Sequence, residues 1–219
     1  MNRFKYLLVI LSGLILVFSL LGCQPKKSLL LEGNPCQVPC WHNIRPGITI
    51  GEEFVKIASK LAFINYPPKV TPQIFENAFS YSGWNIKPNF REESADVGFE
   101  NYKVVYLDFW IKDYFKGAEL FEFFGKPGYY AVVPGGAEMS TLEIVWIYPE
   151  KGLIFSYGKK GGWPRENTVD ISPDLPISQV YYFDPGALNK ILSNYIVSNK
   201  INESVKPWID FGIVTIPEE

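Results

Sequence analysis

The fold is decided by residues 142–157, which read LEIVWIYPEKGLIFSY. Large apolar side chains recur at every second position of the first half, and a period of two is typical of a strand. Pro149–Gly152 supplies turn residues, and Leu153–Tyr157 is apolar enough to return as an antiparallel partner. The stretch therefore predicts a β-hairpin. The side chains expected on its buried face are Leu142, Ile144, Trp146 and Tyr148.

Further strand-like segments lie on both sides of this hairpin. They are rich in aromatic and β-branched residues, which favour strands. They cover residues 80–87, 102–111, 129–133 and 177–183. Asn89 to Asp96 is polar and is interpreted as a loop between the first two segments.

Helices are predicted between the strands. Thr49-Ile50-Gly51-Glu52 fits a capping box, and apolar residues recur at helical spacing as far as Leu61. Lys116–Phe124 is a second strong candidate, with Gly125 as a left-handed C-cap. Residues 70–79 are a short candidate helix. A last helix begins with Asp184 as N-cap and Pro185 in its first turn, and the apolar tail after Val205 is expected to pack on the domain through Trp208.

These elements predict an α+β fold in which short helices pack on an antiparallel β-sheet. Each half of the chain has a short helix followed by strands, which indicates two candidate helix–sheet units, 45–111 and 112–216. Both units lie within the globular domain predicted for residues 35–216.

The N-terminus has the layout of a secretory signal peptide. Arg3 and Lys5 give it positive charge, and Leu7–Leu21 is an apolar run interrupted only by serine and glycine. The run is shorter than the roughly 20 residues that a membrane-spanning helix needs. We therefore predict a signal peptide over residues 1–22, with a plain membrane anchor as the alternative.

Leu20-Leu21-Gly22-Cys23 resembles the bacterial lipobox. The resemblance implies that the Cys23 thiol carries a diacylglycerol, that the chain is cut before Cys23, and that the new N-terminus is acylated, with chains such as palmitate. It implies an extracytoplasmic protein held by its lipid on the cell membrane or outer membrane. Residues 23–34 would then form the lipid-anchored tether.

The charge of the chain limits the classes of partner that we expect it to bind. The chain has 21 Lys and Arg against 23 Asp and Glu, a net charge of −2. A mildly acidic chain lacks the basic patch of a nucleic-acid-binding protein. The sequence shows no basic cluster for a membrane surface, so the lipid on Cys23 is the only membrane contact expected.

Two cysteines remain after Cys23. Cys36 and Cys40 are an even pair in an oxidising compartment, which favours a disulfide. The alternative is a metal site that adds His42, but a fourth ligand is not evident. We therefore predict a disulfide and no metal or other cofactor.

Two family resemblances follow from short motifs. Gly47-Ile48-Thr49 and Phe124-Gly125-Lys126-Pro127 resemble the two ends of the helix in small outer-membrane lipoproteins of the SmpA/OmlA type. That helix–sheet unit, doubled, resembles the β-lactamase-inhibitor-protein fold. The segment from Pro39 to Thr49, PCWHNIRPGIT, resembles lipoproteins that share Pro-Cys-Trp-x-x-Ile-x-Pro-Gly-x-Thr, a group without an assigned activity.

Catalytic motifs are weak in this sequence. Gly158-Lys159-Lys160-Gly161-Gly162 lacks the Ser or Thr of a phosphate-binding loop. With His42 as the only histidine and no Gly-x-Ser-x-Gly elbow, a catalytic triad is not supported. Acidic residues are expected in or near a solvated loop: Glu92, Glu93, Asp96 and Glu100.

The tryptophans are the most informative remaining residues. Trp110 and Trp146 are predicted to lie in the core, as most tryptophans of small β-rich domains do. Trp163, in a glycine-rich segment, is predicted to be exposed and to contact a ligand or partner. The leading functional hypothesis is a non-catalytic envelope lipoprotein that binds another envelope protein. The alternative is a module that binds a glycan or small ligand through exposed aromatic residues.

Overall fold

The computed structural model describes residues 28–30, 36–65, 80–88, 90–135, 141–160, 168–193 and 204–215. Residues 1–22, Cys23, the candidate helix at 70–79 and Trp163 lie outside the described residues. Within the described ranges, no helix combines the length and the apolar character needed to cross a membrane.

Short helices alternate with strands along the chain. The helices are α1 (Gly51–Ala58), α2 (Gly117–Phe124) and α3 (Leu188–Ile191). The strands are β1 (Ser80–Asn85), β2 (Glu92–Glu100), β3 (Lys103–Lys116), β4 (Tyr129–Gly135), β5 (Thr141–Tyr148), β6 (Leu153–Lys160), β7 (Thr168–Ile171), β8 (Pro176–Phe183), β9 (Lys206–Pro207) and β10 (Gly212–Thr215). The predicted hairpin corresponds to β5 and β6, joined by a 3₁₀ turn at Pro149–Lys151.

Eight strands form one antiparallel sheet in the order β1-β2-β3-β8-β6-β5-β4-β9, and β10 pairs with β7 in a small second sheet. The α+β prediction, with short helices on an antiparallel sheet, is therefore confirmed. Helix α1 is followed by β1, β2 and β3, and α2 is followed by β4, β5 and β6. The two sets join in the middle, where β3 pairs with β8, and β3 itself runs across residues 111 and 112.

One face of the sheet, the α1–α2 face, carries the larger core. Phe54 of α1 and Leu120 of α2 are fully buried there against sheet residues such as Phe99 and Phe155. The four hairpin residues predicted to be buried lie on this face, and each is at most 3 % exposed. The predicted placement of these four residues on one buried face is thus confirmed, and Val145 and Ile147 between them are completely buried on the opposite face.

The opposite face, the α3 face, has a smaller apolar cluster. Ile191 and Leu192 pack there against Tyr181, Phe183 and neighbouring strand residues. Gly98 is needed at one edge, since a Cβ at this position would lie 2.1 Å from the Tyr106 ring. The rest of the α3 face carries polar residues.

The interpretation of Asn89 to Asp96 as a loop is wrong from Glu92 onward. Glu92–Glu100 forms β2, which pairs with β1 and β3. Ala95, Val97 and Phe99 are completely buried on the α1–α2 face, while polar residues and one glycine occupy the alternate positions. A polar segment has only a weak local preference for a strand, but pairing with a strand on each side stabilises β2 in this conformation.

The capping box at Thr49 is also wrong. Helix α1 begins at Gly51 after Ile50, and no side chain caps it. The Thr49 hydroxyl accepts a hydrogen bond from the Arg45 amide at 2.7 Å, and its carbonyl accepts one from Val104. Thr49 therefore closes the turn before the helix and joins it to β3.

The predicted ends of the later helices are confirmed. Helix α2 ends at Phe124, and Gly125 is its C-cap. Its φ of 79° is positive but its ψ is −173°, so this glycine does not have the left-handed helical conformation expected from the sequence. The Asp184 carboxylate accepts a hydrogen bond from the Gly186 amide at the start of a 3₁₀ turn that leads into α3. Trp208 packs against the rings of Phe121 and Trp146, so the tail joins the core as predicted.

Candidate functional site

Polar residues from five strands lie together on the α3 face, because the register of the strands places them at neighbouring positions. Asp96 of β2 lies opposite Asp108 of β3, and Trp110 of β3 lies opposite Gln179 of β8. Gln179 in turn lies opposite Ser156 of β6. Glu143 of β5 projects from the same face, two residues from Val145. We call the three carboxylates Asp96, Asp108 and Glu143 the acidic row.

Asp108 is the most deeply placed member of the acidic row. It is 6 % exposed and accepts a 2.7 Å hydrogen bond from the Gln179 amide on Oδ2. Its Oδ1 has no hydrogen-bond partner in the part of the chain that the structure describes. Burial raises the pKa of Asp108 well above its usual value, and the neighbouring charges of Asp96 and Glu143 raise it further. A carboxyl group placed in this way favours its protonated form.

The other two carboxylates are partly accessible. Burial raises the pKa of Asp96, although a 3.4 Å hydrogen bond from the Trp110 indole opposes this. Burial also raises the pKa of Glu143 to about 7, against a lowering by its hydrogen bond to Ser156. Among the described residues, no ion pair involves a member of the acidic row. Glu143 can therefore hold a proton near neutral pH and can then donate as well as accept hydrogen bonds.

This placement predicts a pH-dependent effect of Glu143→Gln. The folded-state pKa of Glu143 lies above its unfolded value of 4.5, so its contribution to stability is present below pH 4.5 and is lost as the pH rises to about 7. Relative to the wild type, the variant should gain about 2 kcal/mol of unfolding free energy between pH 5 and pH 8. Urea titrations at both pH values measure this. The exposed Glu150→Gln is the control, and a gain independent of pH would contradict the assignment.

Trp110 is the accessible aromatic residue of this face. The prediction that it lies in the core is wrong, since 46 % of its surface is exposed, whereas Trp146 is 1 % exposed as predicted. The two residues lie on opposite faces of the sheet. Trp146 is on the α1–α2 face, and Trp110 is on the α3 face beside the acidic row. On β1, the residue paired with Asp96 is Gly83.

The other predicted acidic residues are not brought together with the acidic row. Glu93 is exposed, and Glu100 pairs with Lys190 of α3. The prediction that Glu92 lies in or near a solvated loop is wrong, because Glu92 is 1 % exposed on the α1–α2 face. Burial raises the pKa of Glu92, opposed by hydrogen bonds from Leu29, Ser28 and Leu30.

Cys36 and Cys40 form a disulfide, with their Cα atoms 5.6 Å apart. The sulfurs are bonded to each other and so do not offer two thiolates to a metal. The centroid of the His42 ring lies 4.9 Å from that of Trp41 and 5.0 Å from that of Phe63. Burial lowers the pKa of His42. No group of three or more potential metal ligands occurs among the described residues.

A separate hollow of about 640 Å³ lies between the start of β4 and α3. Its lining is largely apolar and includes Tyr129, Ile147 and Leu192. It lacks the convergent polar groups that fix a small ligand. The polar α3 face is therefore the stronger candidate, and no local signal in the sequence could have assembled it from five strands.

Comparison of the chain with known protein families, with curated proteins and with solved structures finds no match. The resemblances of the PCWHNIRPGIT segment and of the helix–sheet units therefore stay predictions.

Proposed function

We propose that this chain is an extracytoplasmic lipoprotein, acylated on Cys23 and held at the cell membrane or outer membrane, that acts by binding rather than catalysis. The layout of residues 1–23 supports the anchor. The Cys36–Cys40 disulfide supports an oxidising compartment, where such bonds persist.

The observation that carries the binding role is the exposed indole of Trp110 next to carboxylates. An aromatic ring offers an apolar surface to the C–H face of a sugar, and neighbouring carboxyl and amide groups bond to its hydroxyls. Asp96 bonds to the Trp110 indole, and Asp108 lies directly opposite Asp96. A glycan is the ligand class that fits this combination best.

Co-sedimentation with purified peptidoglycan tests this role. We expect the wild-type protein to sediment with it and Trp110→Ala to bind about tenfold more weakly, a loss of about 1.4 kcal/mol. Tyr102→Ala is the matched control, because Tyr102 is an aromatic residue that is 50 % exposed and lies just before β3, away from the acidic row. Equal binding by the Trp110 variant would contradict the glycan role, and release of soluble sugar fragments would contradict the non-catalytic assignment.

A protein partner is the second candidate, and a different surface favours it. Ile48 is 64 % exposed and Ile50 is 45 % exposed, near the equally exposed Tyr102. The Gly51 amide bonds to the Tyr102 carbonyl at 2.8 Å, which holds these apolar residues at one end of the sheet. Exposed apolar residues grouped in this way are typical of protein contacts.

Crosslinking in the native envelope, followed by recovery through a C-terminal tag, separates the two candidates. Loss of a crosslinked protein in Ile48→Ser and Ile50→Ser variants, with Trp110→Ala unaffected, favours the protein partner. Recovery of no protein above background contradicts it.

A further inference from the structure

The N-terminal segment of the described chain is fixed to one end of the sheet. The Glu92 carboxylate accepts hydrogen bonds from the Ser28 hydroxyl at 2.9 Å, the Leu29 amide at 3.0 and 3.1 Å, and the Leu30 amide at 3.3 Å. The Trp41 indole donates to the Leu29 carbonyl at 3.3 Å. Leu29 and Leu30 are 3 % and 2 % exposed. We call this arrangement the N-terminal clasp.

The clasp limits how far the domain can stand from Cys23. The sequence predicts a tether over residues 23–34, but Ser28–Leu30 are already buried in the domain. Five residue steps separate Cys23 from Ser28, and a fully extended chain of that length spans at most about 18 Å. A lipid on Cys23 therefore keeps Ser28 within about 18 Å of its attachment point.

The clasp also defines which end of the sheet is near the lipid. Glu92 is the first residue of β2 and Glu100 is the last. A strand of this length spans about 27 Å. Tyr102, and with it Ile48 and Ile50, therefore lies at the end away from the clasp.

The surface around the clasp end has the chemistry of a headgroup contact. Tyr114 is 55 % exposed, and Lys87 and Lys112 are also exposed. Arg91 donates to the Tyr114 carbonyl at 2.6 Å, but its side chain is only 20 % exposed and forms an ion pair with Glu119 at 3.1 Å. Lys87 and Lys112 are therefore the cations that this surface offers. Tyrosine and tryptophan favour the membrane–water interface, and lysine is attracted to anionic headgroups. We call Lys87, Lys112 and Tyr114 the clasp rim.

We propose that the clasp rim rests on the phospholipid headgroups of the membrane that holds the lipid, and that the Tyr102 end of the sheet points away from it. This rests on the proposed acylation of Cys23. Trp110 then lies on the membrane-proximal half of the sheet, and the Ile48, Ile50 and Tyr102 surface is presented at a distance. The two candidate binding surfaces of the domain thus face different layers of the envelope.

Fluorescence quenching tests this orientation in the intact lipidated chain. Lys112→Cys and Glu150→Cys each place one free thiol, for an environment-sensitive label, at opposite ends of the sheet. The labelled proteins are reconstituted in vesicles of phosphatidylglycerol and phosphatidylethanolamine that contain a headgroup-spin-labelled lipid. We expect the label at 112 to be quenched at least twice as strongly as the label at 150. Equal quenching, or stronger quenching at 150, overturns the proposal.

A second pair of labels, Lys87→Cys and Lys151→Cys, repeats the comparison if a variant of the first pair fails to fold. Cys23→Ala distinguishes a failure of the anchoring proposal from a failure of the orientation proposal. We expect this variant to leave the membrane fraction, and its retention there would overturn the anchoring proposal. Equal quenching in an anchored wild-type chain overturns the orientation alone.

Discussion

Glu92→Ala should lower the free energy of unfolding by about 3 kcal/mol. The substitution removes the acceptor of the Ser28 hydroxyl and the Leu29 amide, and both groups are buried in the N-terminal clasp. A buried donor without an acceptor has lost its hydrogen bonds to water and has no hydrogen bond within the protein to replace them. Denaturant titration followed by tryptophan fluorescence measures the loss.

Glu93→Ala is the control for this effect. Glu93 adjoins Glu92 in β2 but is exposed, and surface substitutions of this kind change stability by about 0.5 kcal/mol or less. The clasp assignment fails if the two variants are equally stable. Proteolysis at the N-terminus gives a second measurement, because Glu92→Ala should expose residues 28–30 in a chain that is otherwise folded.

Trp41→Ala should destabilise the domain by about 4 kcal/mol, within the range known for removal of a buried aromatic side chain. Trp41 is completely buried, and its ring lies 4.6 Å from Phe109 and 5.7 Å from Phe63. Its indole also holds the Leu29 carbonyl of the clasp. Calorimetry or denaturant titration detects a loss of this size.

Trp110→Ala is the matched comparison for Trp41→Ala. The same side chain is removed, but the exposed position should cost about 0.5 kcal/mol or less. A stability loss at position 110 equal to that at 41 would contradict the assignment of Trp110 to an accessible face. Trp41 also gives the Pro-Cys-Trp segment a structural role, since it joins the disulfide region, the clasp and the α1–α2 core.

Elements with a strong local pattern could be predicted from the sequence. The hairpin of β5 and β6 has a clear period of two, a turn between its strands, and neighbours that agree with that period. Helix α2 has an apolar face and a glycine after Phe124 in a backbone conformation that favours glycine. In both places, local preference and tertiary packing favour the same structure.

β2 and Trp110 could not be predicted, because burial there depends on which face of the sheet a residue occupies. The α3-face positions of β2 are Ser94, Asp96 and Gly98, so the strand lacks the apolar run of a buried strand. Trp110 lies on a strand whose alternate residues, Phe109 and Ile111, are buried. A tryptophan in such a segment resembles a core residue until the register of β3 is known.

The acidic row and the clasp depend on contacts between distant residues. Glu92 and Ser28 are 64 positions apart, and Asp108 and Gln179 are 71 positions apart. Composition and periodicity describe neighbours along the chain, so neither could reveal these pairs. Carboxylates with raised pKa values appear only once the sheet places them on one partly buried face.

The pairing of β3 with β8 has a consequence for the order of folding. Lys116 of β3 pairs with Pro176 of β8, so the centre of the sheet closes only when the last long strand is available. Until then β3 presents an unpaired edge with apolar residues beside it, which is the kind of surface that promotes aggregation. A chain that emerges from a translocation channel N-terminus first would have to keep this edge protected until residue 183 has emerged. Nascent chains stalled before β8 should therefore be the form of this protein that most needs a chaperone.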